Sequence, residues 1–159
     1  MEFYMRTFLK AILLILVSTS VSATEAQVDL KAFAQTYFDR LNATQAPNAT
    51  EKDLEDFLAL MTDDIGSTHL PYVTDDSRTP TGKADMRNGM RFYLGSHTQY
   101  SAELLNVFTF NNTAIAIRYR NSAKGIHPQT KQPNEYTQIL MDVLEIENGK
   151  IAVIRKYHE

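Results

Sequence analysis

Asn148-Gly149 stands between two apolar runs, ILMDVLEIE (139–147) and KIAVIRKYH (150–158). Both residues tolerate the positive φ of a tight turn, and Asn-Gly between such runs is a strong hairpin signal. The C-terminal part of the chain is therefore restricted to antiparallel sheet. The first run then separates by alternation. Leu140, Asp142, Leu144 and Ile146 share one face, and Ile139, Met141, Val143, Glu145 and Glu147 share the other. The Glu-bearing face suits solvent, which puts Asp142 on an otherwise apolar inward face.

Upstream, the period of the apolar residues is helical. Leu30, Phe33, Ala34, Tyr37, Phe38 and Leu41 recur on one side of a first helix, with Thr24-Glu-Ala-Gln27 as its capping box. The polar stretch NATQAPNAT (42–50) reads as a loop. Thr50-Glu-Lys-Asp53 resembles a second capping box, ahead of a helix that buries Leu54, Phe57, Leu58 and Met61. DDIGSTHLPY (63–72) reads as a short strand, and 71–83 as a loop with two prolines. A third helix is expected over 83–96, with Met86, Met90, Tyr93 and Leu94 on one side. Strands are expected over 99–110, 113–121, 135–147 and 150–158, joined as an antiparallel meander. Helices followed by strands make an α+β domain.

The chain opens with a short basic region, an apolar run AILLILV and the small-residue site Val21-Ser22-Ala23. This is the pattern of a secretory signal, here expected to be cleaved after Ala23. The apolar run is far shorter than the roughly 20 residues of a spanning helix. Residues 1–23 are thus expected to be a signal peptide, and 24–159 one exported domain, periplasmic or secreted. Cleavage removes Arg6, Lys10 and Glu2, and the formal net charge moves from −3 to −4. That balance favours neither nucleic acid nor an anionic membrane surface. With no cysteine, the chain has no disulfide, no thiol nucleophile and no thiolate metal site.

A carboxylate on an apolar face is costly unless paired, hydrogen-bonded or protonated, so Asp142 is the first candidate for function. Its alternative reading is a structural pair with Arg118 or Arg120. Tyr37 interrupts an apolar stripe, where a tyrosine is more often core than catalytic. His69 stands alone, but its ordinary pKa near 6.5 suits proton transfer at neutral pH. His97 and His127 read as solvated surface. His158 either closes a pocket or caps the last strand. Asp63-Asp64 and Asp75-Asp76 read as loop and cap residues, and Asp53, Glu55 and Asp56 as the solvated face of the second helix. No HExxH, P-loop or GxSxG pattern occurs.

TDDIGSTHLP after the second helix and MDVLEIENGKIAVIRKYHE at the end carry a resemblance. Over residues 28–158 the chain resembles the SnoaL-like and ketosteroid-isomerase-like branch of the NTF2-like superfamily. The resemblance implies a cone, with three N-terminal helices packed on a curved antiparallel sheet around an apolar cavity. It also implies roles. Tyr37 matches the helix-one tyrosine that donates to the substrate oxygen. Asp142-Val143 matches the oxyanion-binding aspartate, a carboxylic acid that an apolar site keeps protonated. His69, five residues after Asp64, stands where the isomerases carry their aspartate base, and neutral imidazole is also a competent base. Ile154 and His158 are expected ligand contacts. The expected activity is cofactor-independent, metal-free proton transfer next to a carbonyl, as in a lyase or isomerase. The expected partners are a small apolar or carbonyl-containing ligand and a second copy of the chain. The alternative is a non-catalytic ligand-binding or dimerisation module.

Overall fold

The computed structural model describes residues 28–159. The expected signal peptide and the Thr24–Gln27 capping box lie outside the described residues. The first helix, α1 (Leu30–Gln45), is capped instead by Asp29, whose carboxylate accepts the backbone N–H groups of Lys31 and Ala32. It buries Leu30, Ala34, Tyr37, Phe38 and Leu41. It also runs four residues into the expected loop, because nothing in Asn42-Ala-Thr-Gln breaks a helix. Pro47 disfavours helical geometry at Ala46, which is extended. The second helix, α2 (Glu51–Leu58), begins with the expected capping box of Thr50 and Asp53.

The remaining order is β1 (Met61–Leu70), α3 (Gly82–Tyr93), β2 (His97–Phe110), β3 (Ala114–Ile126), β4 (Pro133–Glu147) and β5 (Lys150–His158). The five strands form one curved sheet in the order β1-β5-β4-β3-β2. Strands β2 to β5 are the expected meander. β1 departs from it and lies parallel to β5, so the sheet is mixed rather than wholly antiparallel. A parallel pair needs a long crossover, and here that crossover is everything from α3 to β4.

The Asn148-Gly149 hairpin forms as expected, with Asn148 at φ 50° and Gly149 at φ 73°. Three residues into β5 the register shifts. Ile146 faces Ile151 but Glu145 faces Val153, which leaves Ala152 as the extra residue of a bulge. A one-residue shift exchanges the two faces of every later position. Ile154, Lys156 and His158 therefore join the Asp142 face of β4, paired in the rows Leu144–Ile154, Asp142–Lys156 and Leu140–His158.

The helices lie on the Asp142 face, and α1, α2 and the sheet share one apolar core. No residue of α3 is fully buried; Met86, Met90 and Leu94 pack against the core from its edge. Two arginine forks tie α3 to α2. Arg87 donates to both carboxylate oxygens of Glu55 (2.6 and 3.0 Å), and Arg91 to both of Glu51 (2.6 and 2.8 Å). The acidic side of α2 is thus an interhelix clamp, with Asp53 in the cap. The two acidic pairs of the sequence are similarly engaged: Asp63 with Lys83, Asp64 with Arg78, Asp75 with the Ser77 N–H and Asp76 with Arg155.

These contacts draw the 71–81 segment across β1 at Gly66. A Cβ on Gly66 would stand 2.1 Å from the Asp76 carbonyl oxygen. On α3, Gly89 meets nothing within 4 Å. Urea unfolding should therefore separate the two glycines. Gly66→Ala should lose about 1–3 kcal/mol from overpacking against backbone. Gly89→Ala should gain roughly 0.5–1 kcal/mol from helix propensity.

Candidate functional site

Between the helices and the inner face of the sheet lies a cavity of about 430 Å³. Leu41, Phe57, Met86, Met90, Leu140 and Ile154 supply its apolar walls. Its polar lining, from helix and sheet, includes Tyr37 of α1, His69 of β1, Tyr119 and Asn121 of β3, and Lys156 and His158 of β5, with further hydroxyls and amides from residues such as Tyr100, Tyr136 and Gln138.

One register row crosses the sheet through the site. His69 on β1 pairs with Lys156 on β5, Lys156 with Asp142 on β4, and Asp142 with Ile117 on β3. Partners in a row share a face, so His69, Lys156 and Asp142 project to the same side. Asp142 is fully buried and lies behind the lining. Its Oδ2 accepts the hydroxyls of Tyr37 (2.8 Å) and Tyr119 (3.1 Å) and stands 3.7 Å from Lys156 Nζ. Burial, then the Asp142 charge, push both phenols well above their ordinary pKa of 10.0. Tyr37 and Tyr119 therefore stay protonated and act as donors. Arg118 and Arg120, the alternative partners for Asp142, are elsewhere: they bind Glu159 and Glu103.

His69 is exposed at the rim of the cavity. Its ring centroid is 6.2 Å from that of His158, which in turn meets the exposed Tyr72 edge-on at 5.6 Å. Desolvation first, then the Lys156 ammonium, hold His69 below its ordinary 6.5; Asp142 opposes them and His158 adds slightly. Lys156 separates Asp142 from His69 in the row, so Asp142 acts on His69 across the ammonium.

Several polar atoms have no hydrogen-bond partner, although each is buried. Asp142 Oδ1, Asn121 Oδ1 and His158 Nε2 are three of them, and the last two belong to residues that line the cavity. Such atoms cost stability unless a ligand or water meets them.

His97 corrects the expectation of a solvated side chain. It is half-buried, with Nδ1 2.9 Å from the Gln45 carbonyl and Nε2 3.3 Å from Tyr136 Oη. It lines a second cavity of about 280 Å³, which shares Gln45, Tyr93 and Tyr136 with the main one. His127 sits in the turn before β4, where its Nδ1 accepts two backbone N–H groups.

All five residues singled out in the sequence belong to this region. Tyr37, His69, Ile154 and His158 line the cavity, and Asp142 supports it from behind. Tyr119 and Lys156 were missed. Tyr119 follows Ile115 and Ile117 at the same alternation that exposed Asp142, so a signal for it was present. Lys156 lies two residues from both Ile154 and His158, and the bulge at Ala152 decides that all three face inward.

The surroundings of His69 make its titration a test of the row. By NMR its midpoint should lie below 6.5. Lys156→Met should move the midpoint up, by removing a cation, and Asp142→Asn should move it down, by removing an anion. Because the folded value is the lower one, the unfolded chain binds the proton more readily. Folding should thus lose stability as pH falls from 6.5 toward the folded midpoint, and that loss should shrink in Lys156→Met.

The SnoaL-like domain model matches residues 31–154. Among curated proteins none matches the chain. Solved structures with the same fold include a protein from Shewanella putrefaciens CN-32 assigned as a SnoaL-like polyketide cyclase. It is 13% identical, with a TM-score of 0.61 and coverage of 95% of this chain and 92% of that one. An NTF2-like protein from Anabaena variabilis ATCC 29413 is 20% identical, with a TM-score of 0.59 and coverage of 82% and 88%. An LEH-like epoxide hydrolase from M. tuberculosis is 14% identical, with a TM-score of 0.54 and coverage of 79% and 84%. At these identities the likeness is one of fold. The domain match covers most of the sequence, from α1 into β5, and on it this chain belongs to the SnoaL-like family, with a fold like that of the NTF2-like structure above.

Proposed function

We propose that this protein is a cofactor-independent enzyme that moves a proton next to a carbonyl in a small, largely apolar ligand. The observation that carries the reading is the convergence of His69 and Tyr37 on one cavity, with Asp142 hydrogen-bonded to Tyr37. Neutral His69 takes the proton from the carbon beside the carbonyl. Its depressed pKa keeps it in that basic form at neutral pH. The charge then develops on the carbonyl oxygen, which Tyr37 meets.

In the arrangement described above, the Tyr37 proton faces Asp142. As the oxyanion forms, the Tyr37 hydroxyl turns from Asp142 Oδ2 to the ligand oxygen, while Tyr119 keeps its bond to the aspartate. Tyr37 touches the substrate, and Asp142 is a positioning residue behind it. The imidazolium then returns its proton at another carbon, as in an isomerase, or to a departing group, as in a lyase. No step calls for a metal or an organic cofactor.

A second reading is a ligand-binding module without catalysis that associates through the sheet. It is favoured by the outer face, where Phe108, Ala116 and Val143 form one row and Phe108 and Phe110 are 62% and 70% exposed. We propose a homodimer through this face under either reading. Export to the periplasm or medium is likewise proposed, on the basic start, apolar run and small-residue site of the first 23 residues. No helix among the described residues is long and apolar enough to cross a membrane.

Deuterium wash-in beside the carbonyl, followed by NMR over a panel of cyclic ketones and enones, tests the enzyme reading. The wild type should exchange at least one compound. His69→Ala should slow that exchange about a hundredfold or more, and Tyr37→Phe about a hundredfold. Bound compounds that do not exchange would leave the binding module as the correct reading, and exchange unaffected by both His69→Ala and Asp142→Asn would overturn this mechanism. Light scattering that finds only monomer would remove the dimer.

A further inference from the structure

Among the described residues that line the main cavity, Lys156 is the sole lysine, arginine, aspartate or glutamate. Its side chain is only 15% exposed. Its nearest carboxylate oxygen, Asp142 Oδ2, is 3.7 Å away, beyond the reach of a hydrogen bond. That oxygen already accepts two tyrosine hydroxyls, which spread its charge. An ammonium carries three donors. Asp142 is thus near enough to attract the lysine without satisfying its protons.

An independent observation lies two residues along β5. His158 is on the same face as Lys156, and its Nε2 is buried with no hydrogen-bond partner. The cavity therefore has one polar end with an under-used cation and an unpartnered ring nitrogen. Leu41, Phe57, Met86 and Met90 add hydrocarbon to walls otherwise lined by uncharged side chains such as Tyr100, Tyr136 and Gln138. A neutral apolar ligand would leave both polar groups unmet, at a cost for each. A carboxylate meets the ammonium, and it meets the imidazole in the tautomer that carries its proton on Nε2.

We propose that the ligand is an apolar carboxylic acid whose carboxylate is held by Lys156 Nζ and His158 Nε2. This rests on the reading of the cavity as a small-molecule site. Joined to the proton chemistry above, it makes the substrate class an apolar keto acid. The anion would also bring a negative charge beside His69, opposing the Lys156 field that holds His69 neutral and strengthening it as a base.

The test compares 2-naphthoate with 2-naphthamide, which have closely similar shapes and differ in charge. Binding to the purified protein is followed by NMR of the histidine rings, with shifts at His69 and His158 locating it in the cavity. The wild type should bind the carboxylate at least about tenfold more tightly than the amide. Lys156→Met should erase that preference while amide affinity stays within about twofold, and Lys156→Arg should keep most of it. A preference unchanged in Lys156→Met would overturn the anchor and leave the cavity reading standing. Should Lys156→Met fail to fold, the wild type decides, because equal affinity for the two compounds also overturns the anchor. If the wild type binds neither compound, the cavity reading falls and the anchor falls with it.

Discussion

Asp142 is a carboxylate with no exposed surface in the middle of a sheet. An isolated charge there would be prohibitive, and the fold answers it from three directions. Tyr37 reaches it from α1, Tyr119 from β3 and Lys156 from β5. The packing of the first helix on the sheet is therefore not set by apolar contacts alone. Tyr37 stacks at a tilt on Phe57 of α2, at 5.4 Å, while its hydroxyl is committed to the sheet. If α1 rotated or slid, the hydroxyl would leave Asp142 unsatisfied. The polar cluster thus specifies one placement of the helix, and that placement defines the inner end of the cavity.

The same cluster depends on register. With the Asn148-Gly149 turn and no bulge, Asp142 would face Arg155, and Lys156 would point to the outer face. Ala152 prevents this. Past the bulge, Arg155 turns outward to Asp76 and Glu145, and Lys156 turns in to Asp142. One extra residue therefore assigns two cations to opposite sides of the sheet. The outer pairs hold the 71–81 segment, and the inner pair forms the site. The segment begins at the rim, where Val73 N–H donates to the His69 carbonyl, so the two sides meet at His69.

Period and turn chemistry made most of the architecture legible. Three helices, the change to alternation and the Asn-Gly hairpin were all visible, and the inward face of β4 was read correctly down to its single aspartate. The parallel placement of β1 was not legible, because DDIGSTHLP carries no information about which distant strand it joins. Lys156 was hidden for a related reason. A bulge leaves no mark in hydrophobicity when the residues around it, Ile151 to Ile154, are all apolar and all buried. The partners of Asp142 were misjudged because charge suggested arginine. In a buried site, two tyrosine hydroxyls and a partly exposed lysine beyond hydrogen-bonding distance bring the same oxygen less desolvation cost than a second fully buried ion.

The two ends of the cavity are built differently, and the difference follows from proton inventory. At the far end the Gln45 carbonyl can only accept, so His97 Nδ1 must carry the proton in that 2.9 Å contact. In neutral His97, Nε2 is then an acceptor, and Tyr136 donates to it. Carbonyl, imidazole and phenol form a satisfied chain, and its outer members, Gln45 and Tyr136, line both cavities. At the His69 end nothing is closed in this way. The rim is exposed, His158 Nε2 has no partner, and the lysine is engaged only electrostatically. A ligand gains little by opening the first end, where each bond it breaks must be replaced. It gains at the second, where the bonds it would make are still unmade.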